Sequence, residues 1–537
     1  MMSASSHRKR AARVRAVRVL GAVLVLALVL ALAFAIVGCG SEEETSGDTG
    51  GTTIKQGGVL KIGSQPGTVN SDPALFAGAV PDILLQAQIY EKLVTLGQDF
   101  GVQPTLATKW DSPDGRVWTF ELRDGVTFSN GEPFTSADVV YTMDRLRDPK
   151  LGSMMVDVYA NIKDVSAPDA STVVFTLTNV DAEFPASLTD YHTLMLCKSV
   201  KDPAKTAVGT GPFVLKSISA EDRAILTKNP SYWGKDANGN QLPYLDEVDF
   251  IYSPDVAGQV EGLQGGSLQW VGGLTAEQKL AVEGNSSLKT ISTATNYCFE
   301  LQIRCDRKPG SDVKVRQALM AGTDRQAIID LVAPGLAVPG NGTLVGPAYK
   351  ANYLDTSVAY DPAKAKQLLA DAGYPNGLKI KLVTQTADPV PAIATAWQAQ
   401  MKEIGVAVDI QQVPVDVFYT DEGQDTWYQA DYCIVDWGTR AVPNAYFQIA
   451  LATGGASNYS RWSNPAFDKL VKQIGLEMDA AKRAELYKQA QTMLQDQVPM
   501  MNFLVNTAVA GQPANVDGIA LAPDWPQTLF GTAHYTE

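Results

Sequence analysis

Histidine and cysteine are scarce in this chain of 537 residues, with three of the first and five of the second. His7, His192 and His534 are too far apart to build a histidine-rich metal centre. Chemistry needing two neighbouring histidines is excluded unless the far C-terminus folds back. No CxxC pair occurs, and no GxSxG elbow, HExxH helix or Walker motif is present. Gly209-Thr210-Gly211-Pro212 lacks the downstream Gly-Lys-Ser/Thr of a phosphate-cradling loop. The sequence therefore offers no catalytic residue, no metal ligand set and no cofactor motif.

Positive charge is also in deficit. Forty-four basic residues face 58 acidic ones, and six of the basic residues lie between His7 and Arg18. Without residues 1–38 the balance is 38 against 58, a net charge near −20, which argues against nucleic acid or anionic headgroups as partners. Hydrophobic residues at 45% and charged residues at 19% describe an ordinary globular composition, and the length calls for two or three domains.

The N-terminus supplies what the rest withholds. Six Lys/Arg lead into Val19 to Val37, which carries no charge, and the run ends at Ile36-Val37-Gly38-Cys39 before a polar, acidic, Gly/Thr-rich tether. This resembles a bacterial lipoprotein signal peptide, implying cleavage before Cys39 and lipidation of its thiol at the outer face of the cytoplasmic membrane or in the periplasm. The apolar run is also long enough to span a bilayer uncleaved, but a plain anchor leaves the small-small-Cys ending unexplained.

Residues 39–56 read as a flexible tether. A glycine-bounded strand follows at Val59 to Gly63, then helical spacing over Asp82 to Thr95, and strand alternation in Trp118 to Leu122 and Thr172 to Leu177. Ser136-Ala137-Asp138 predicts a helix start. Asp361-Pro362 predicts an N-cap and first-turn proline, with Gly373 ending that helix. Strands at 378–383 and 406–413 flank a helix around Trp397 to Ile404, an alternation that points to α/β lobes with mixed sheets.

Four ordered blocks carry a family resemblance. The first runs from Pro104-Thr105-Leu106-Ala107 and Ser112-Pro113-Asp114-Gly115 through Phe120 to Phe128 and Asn130 to Phe134, into Ala137-Asp138-Val139-Val140-Tyr141. The second is Gly209 to Phe213 with Asn229-Pro230-Ser231-Tyr232-Trp233. The third is Asp312 to Leu319 with Thr323-Asp324-Arg325, and the fourth Asn458-Tyr459-Ser460 with Asn464 to Asp468. In order and spacing they resemble solute-binding protein family 5 of ABC importers, the peptide- and nickel-binding family. The resemblance implies a two-lobed periplasmic-binding-protein-like α/β fold of the large peptide-binding type, with an extra subdomain inserted in the first lobe. The first lobe is then 57–95, 205–295 and 505–537, the insert 96–204 and the second lobe 296–504. Solute enters between the lobes, which close by hinge motion and are recognised by a membrane permease.

The resemblance also implies where the cleft is. The segment after Trp437 faces ligand in the family, and many peptide-binding members carry an aspartate there for the α-ammonium. Here Arg440 stands three residues on, and no acid follows until Asp468. A guanidinium repels an ammonium and grips a carboxylate in a fork, so Arg440 is expected to bind an electron-rich group of the solute, with Thr439 beside it. The alternative is an arginine paired with Asp436. Trp437 and Trp270 are candidates for stacking on ligand, with core packing as the other reading of each. Asn296, Tyr297 and Phe299 enter the second lobe, Tyr297 and Phe299 on one face and Asn296 on the other. Asn444 and Tyr459 complete the candidates, while Phe418, Tyr419 and Trp427 read as surface loop or rim. A disulfide from Cys433 to Cys298 or Cys305 and free buried thiols both remain open.

The reading is a monomeric, lipid-anchored binding protein for a peptide or similar small solute, partnered by an ABC permease. A secreted cleft hydrolase and a ligand sensor on the same fold are the alternatives. With His192 alone well inside the folded region, nickel itself suits the chain poorly.

Overall fold

The computed structural model describes residues 53–536 apart from 69, 76–78, 254 and 421–425, so Cys39 and its signal and tether lie outside the described residues. Among the described residues, eleven strands join in one sheet. Its main path runs Val406–Val413, Leu378–Gln385, Tyr432–Trp437, Leu288–Ile303, Met500–Pro513, Trp270–Gly272, Val59–Ser64, Glu247–Tyr252, Arg223–Lys228 and Phe213–Ile218. Parallel and antiparallel pairs both occur along this path, giving the mixed α/β sheet that the strand–helix alternation predicts.

The two central strands do the joining. Leu288–Ile303 and Met500–Pro513 pair antiparallel over most of their length, so each contributes to both halves of the sheet. Their ladder breaks between Ala294↔Thr507 and Cys298↔Val505, leaving Thr295, Asn296 and Tyr297 opposite a single residue, a bulge that bends the pair where the halves meet. Each half has its own apolar core. One gathers Leu60, Ile62, Phe213, Phe250, Trp270 and Phe530, and the other Leu301, Trp397, Ile434 and Phe503.

A separate antiparallel sheet of four strands, Ala107–Asp111, Val117–Leu122, Thr172–Leu177 and Ile162–Asp169 in spatial order, packs Trp118, Phe120, Phe175 and Phe184 into a third core. Phe100 leaves this neighbourhood and packs edge-on against Tyr349 of the second half, at 4.7 Å between centroids. The chain crosses back at Gly209 and Gly211, pressed against the Ile89 carbonyl. A Cβ at Gly209 would sit 2.0 Å from that oxygen, and Gly211 N–H donates to it at 2.9 Å.

Local expectations held where end signals were strong. Asp361 accepts from Lys364 N at 2.8 Å and caps Pro362–Asp371. The helix start expected at Ser136 is capped one residue earlier, where the Asp138 carboxylate accepts from both the N–H and the hydroxyl of Thr135. The spacing over Asp82 to Thr95 yields a helix only at Val80–Ile89, because the following residues turn into the strand Val94–Leu96.

One open alternative is settled and one expectation fails. Cys197, Cys298, Cys305 and Cys433 are free thiols, since strand register sets Cys298 opposite Trp437 and Cys433 opposite Gln302, so the two never face each other. Phe418 is no surface residue: it is fully buried, and the Tyr419 hydroxyl donates to Asp436. No helix among the described residues is long and apolar enough to cross a membrane.

Candidate functional site: an arginine between two halves

Arg440 follows the buried strand Tyr432–Trp437, and its backbone is pinned from two sides. Its N–H donates to the Tyr446 hydroxyl at 2.9 Å, and its carbonyl accepts from the Tyr349 hydroxyl at 2.6 Å. Tyr446 in turn donates to Gly438 O at 2.8 Å and accepts from Asn296 Nδ2 at 3.0 Å. Asn296 is fully buried and completes the frame. It donates to Leu344 O, accepts from Gly346 N at 2.6 Å, and its own N–H reaches Thr439 Oγ1 at 3.2 Å. Gly346 must be glycine here, because a Cβ would lie 2.4 Å from Asn296 Oδ1.

The guanidinium itself is left over. Among the described residues it makes no hydrogen bond or ion pair, although the side chain is half-buried. Asp436, its alternative partner, is already taken by the hydroxyls of Tyr297 at 2.8 Å and Tyr419, and by Gln385 Nε2 at 3.2 Å. What the Arg440 charge does reach is the other half of the molecule: burial raises Tyr191 and Asp524, and at each of these and at Asp190 the guanidinium adds a lesser downward pull.

Those residues form one hydrogen-bonded wall. Lys92 donates to Thr189 O at 2.9 Å and to Gln527 Oε1, and Gln527 Nε2 donates to Asp524 Oδ2 at 2.9 Å. His192 holds Asp190 Oδ1 through its backbone N–H and its ring Nδ1. Burial pulls the Lys92 ammonium down to about 8 against the pull of Asp524 and Asp190. Burial raises Asp524, opposed by Gln527 and Lys92. Burial also pushes Asp190 up, but its contacts with His192 outweigh that and hold it below the ordinary carboxylate range. Asp190 nevertheless keeps 30% of its side chain exposed, so an oxygen remains open. The arrangement can hold a solute carrying both signs: one unpaired cation faces two carboxylates.

The other expected residues are placed as follows. Thr439 lies beside Arg440 and accepts from Asn296. Tyr297 points its hydroxyl at Asp436, and Phe299 is buried against it at 5.4 Å, on one face as alternation requires. Trp437 is buried, donating Nε1 to Glu300 Oε1 at 2.8 Å with its ring edge-on to Tyr446. Trp270 is 1% exposed and packs against Phe530 and Trp525 in the first-half core, which fits the packing reading. Asn444 is buried with its N–H on the Tyr487 hydroxyl, and Tyr459 packs against Trp427 with the rings tilted at 52° and 4.2 Å between centroids. A surface concavity of about 420 Å³ along Gln473, Leu476, Glu477 and Leu486 shares no residue with this site.

Sequence reading missed the whole opposing wall. Asp190-Tyr191-His192 is a visible polar run, but nothing in the sequence brings Lys92, Asp190 and Asp524 together. Tyr349 and Tyr446 were equally silent.

A two-half α/β sheet crossed by two shared strands is the architecture of the periplasmic-binding-protein class. Residues 101–459 match the family described as "Bacterial extracellular solute-binding proteins, family 5 Middle", and the chain belongs to that family. It is 27% identical over 473 residues to the glutathione-binding protein GsiB of Escherichia coli, spanning 82% of this chain and 89% of that one. It is 26% identical over 530 residues to the dipeptide-binding protein of the same species, spanning 88% and 97%. Among solved structures it resembles the ABC transporter-associated periplasmic binding protein DppA of Helicobacter pylori in complex with the peptide STSA. There the TM-score is 0.71 at 26% identity, covering 90% of this chain and 99% of that one. The chain is a binding protein and not an enzyme, which sets the hydrolase alternative aside.

Proposed function

We propose that this chain is the exported, lipid-tethered receptor of an ABC importer, capturing a short peptide-like solute between its halves and delivering it to a membrane permease. The carrying observation is Arg440, a guanidinium rigidly mounted by Tyr446 and Tyr349 yet without a partner of its own. It receives the solute's carboxylate in a bidentate fork. Asp190 and Asp524 receive an ammonium or hydroxyl from the opposite wall, the acid that the segment after Trp437 lacks. Free-amino peptides, doubtful on Arg440 alone, become good candidates.

The relatives named for glutathione and dipeptides fit that chemistry, since both ligands carry carboxylate and ammonium. Closure bends the shared strands at Thr295 to Tyr297, where their ladder is already broken. Cys39 carries the lipid.

A thermal-shift panel tests the ligand class, because a solute that binds the folded state raises Tm with its concentration over Kd. Glutathione and free dipeptides are expected to raise Tm, and C-terminally amidated dipeptides to fail. Equal shifts from the amides, or shifts only from uncharged sugars, would refute a carboxylate site.

A further inference from the structure

Glu183 sits just ahead of the short helix Phe184–Ser187, whose Phe184 is locked among Trp118, Phe120 and Phe175 in the four-stranded-sheet core. Its carboxylate does not stay within that body. Both oxygens accept from the Tyr487 hydroxyl, at 2.7 and 2.9 Å, and Oε1 lies 3.3 Å from Arg483 Nε. Arg483 and Tyr487 are one turn apart on the helix Ala480–Gln497, so they present one face. Tyr487 is fully buried against Phe447 in the second half. A backbone bond runs alongside: Ala182 N–H donates to Gly475 O at 2.8 Å. The same Tyr487 hydroxyl accepts from Asn444 N at 3.1 Å, four residues beyond Arg440.

We propose that Glu183, Tyr487 and Arg483 form a latch that holds the four-stranded-sheet body against the second half, with Tyr487 as a positioning residue for the segment that carries Arg440. This goes beyond the identity of the solute and stands whichever solute is carried. Each end of the latch is anchored in a different core, so separation of the bodies must break it. Separation also returns Glu183 to water.

The latch is sensitive to acid. The titratable groups facing Glu183 are Asp181 from its own turn and Arg483 and Tyr487 from the helix. Burial raises the Glu183 carboxyl to about 7, against the opposing pull of Tyr487 and Arg483, whereas an open, hydrated carboxyl titrates near its ordinary value of 4.5. The latched form therefore binds more protons between those values, and acidification across that window favours it. Above about 7 both forms are ionised and the bias is flat.

Hydrogen exchange of the full chain without ligand reads this directly, because the Ala182 amide bond crosses the interface. Its protection factor, corrected for the chemical exchange rate at each pH, is expected to rise as pH falls below 7, by at most about tenfold per unit. Glu183→Gln, still an acceptor but unable to ionise, is expected to keep protection at the acid level and lose the pH slope. Tyr487→Phe is expected to lower protection by at least about tenfold at every pH, while the Phe120 amide within the four-stranded sheet does not follow. A flat wild-type profile, or a wild-type slope retained in Glu183→Gln, overturns the latch. Should Glu183→Gln fail to fold, unchanged protection in Tyr487→Phe overturns it alone.

Discussion

At the residue scale, Glu300 shows what a buried charge costs. Glu300 is 1% exposed, accepts from Trp437 Nε1 at 2.8 Å and from Gln302 Nε2 at 3.2 Å, and its second oxygen has no partner among the described residues. Burial drives its pKa to about 8, so the folded state holds a proton there that the unfolded state gives up near the ordinary glutamate value of 4.5. Folding stability from this group is thus greatest below the lower value and falls as pH rises to about 8, by at most about 1.4 kcal/mol per unit. Melting curves between pH 5 and 8 should show Tm falling with pH, and Glu300→Gln should flatten that slope. A slope that survives the substitution would assign it to Glu91 or Glu183, whose burial raises them in the same direction. Asn296 makes a second residue-scale case. Replacing it with Ala strands Gly346 N and Leu344 O and should cost roughly 2–3 kcal/mol by chemical denaturation.

At the element scale, the sequence was legible wherever one residue type has one physical use. Asp361-Pro362 marked a helix start because a carboxylate satisfies orphan N–H groups and proline suits the first turn. Asp361→Ala should therefore cost about 1 kcal/mol. Gly209 gave no such signal. The missing Gly-Lys-Ser/Thr ruled out a phosphate loop without showing the close approach to Ile89, and Gly209→Ala should destabilise by roughly 1–3 kcal/mol through the clash. Phe418 was misread because a polar, acidic stretch around it suggested a loop, while tertiary packing drew its ring into the second-half core. Trp270 and Trp437 illustrate the limit of residue type: an indole serves a core and a ligand equally well, and only burial separates the two.

On the scale of the whole molecule, the fold was readable because order and spacing of motifs extended along most of the chain. The site was half readable. Arg440 stood out as a cation where many peptide-binding members carry an acid, but Lys92, Asp190 and Asp524 come from three segments spread over more than 400 residues, and only the fold brings them together. The tether belongs to this scale too. Cys39→Ser should release the protein from the membrane fraction into the soluble one, read by fractionation and immunoblotting. Retention at the membrane would point instead to the apolar run as an uncleaved anchor.

The account turns on whether Arg440 grips a carboxylate. Calorimetric titration of wild type and Arg440→Gln with a dipeptide and with the amide of that same dipeptide isolates that contact, because the four affinities form a cycle. Wild type should prefer the acid by roughly 10- to 100-fold, the worth of a charge-assisted bond, and Arg440→Gln should bind the two alike. The same preference in both proteins would contradict it.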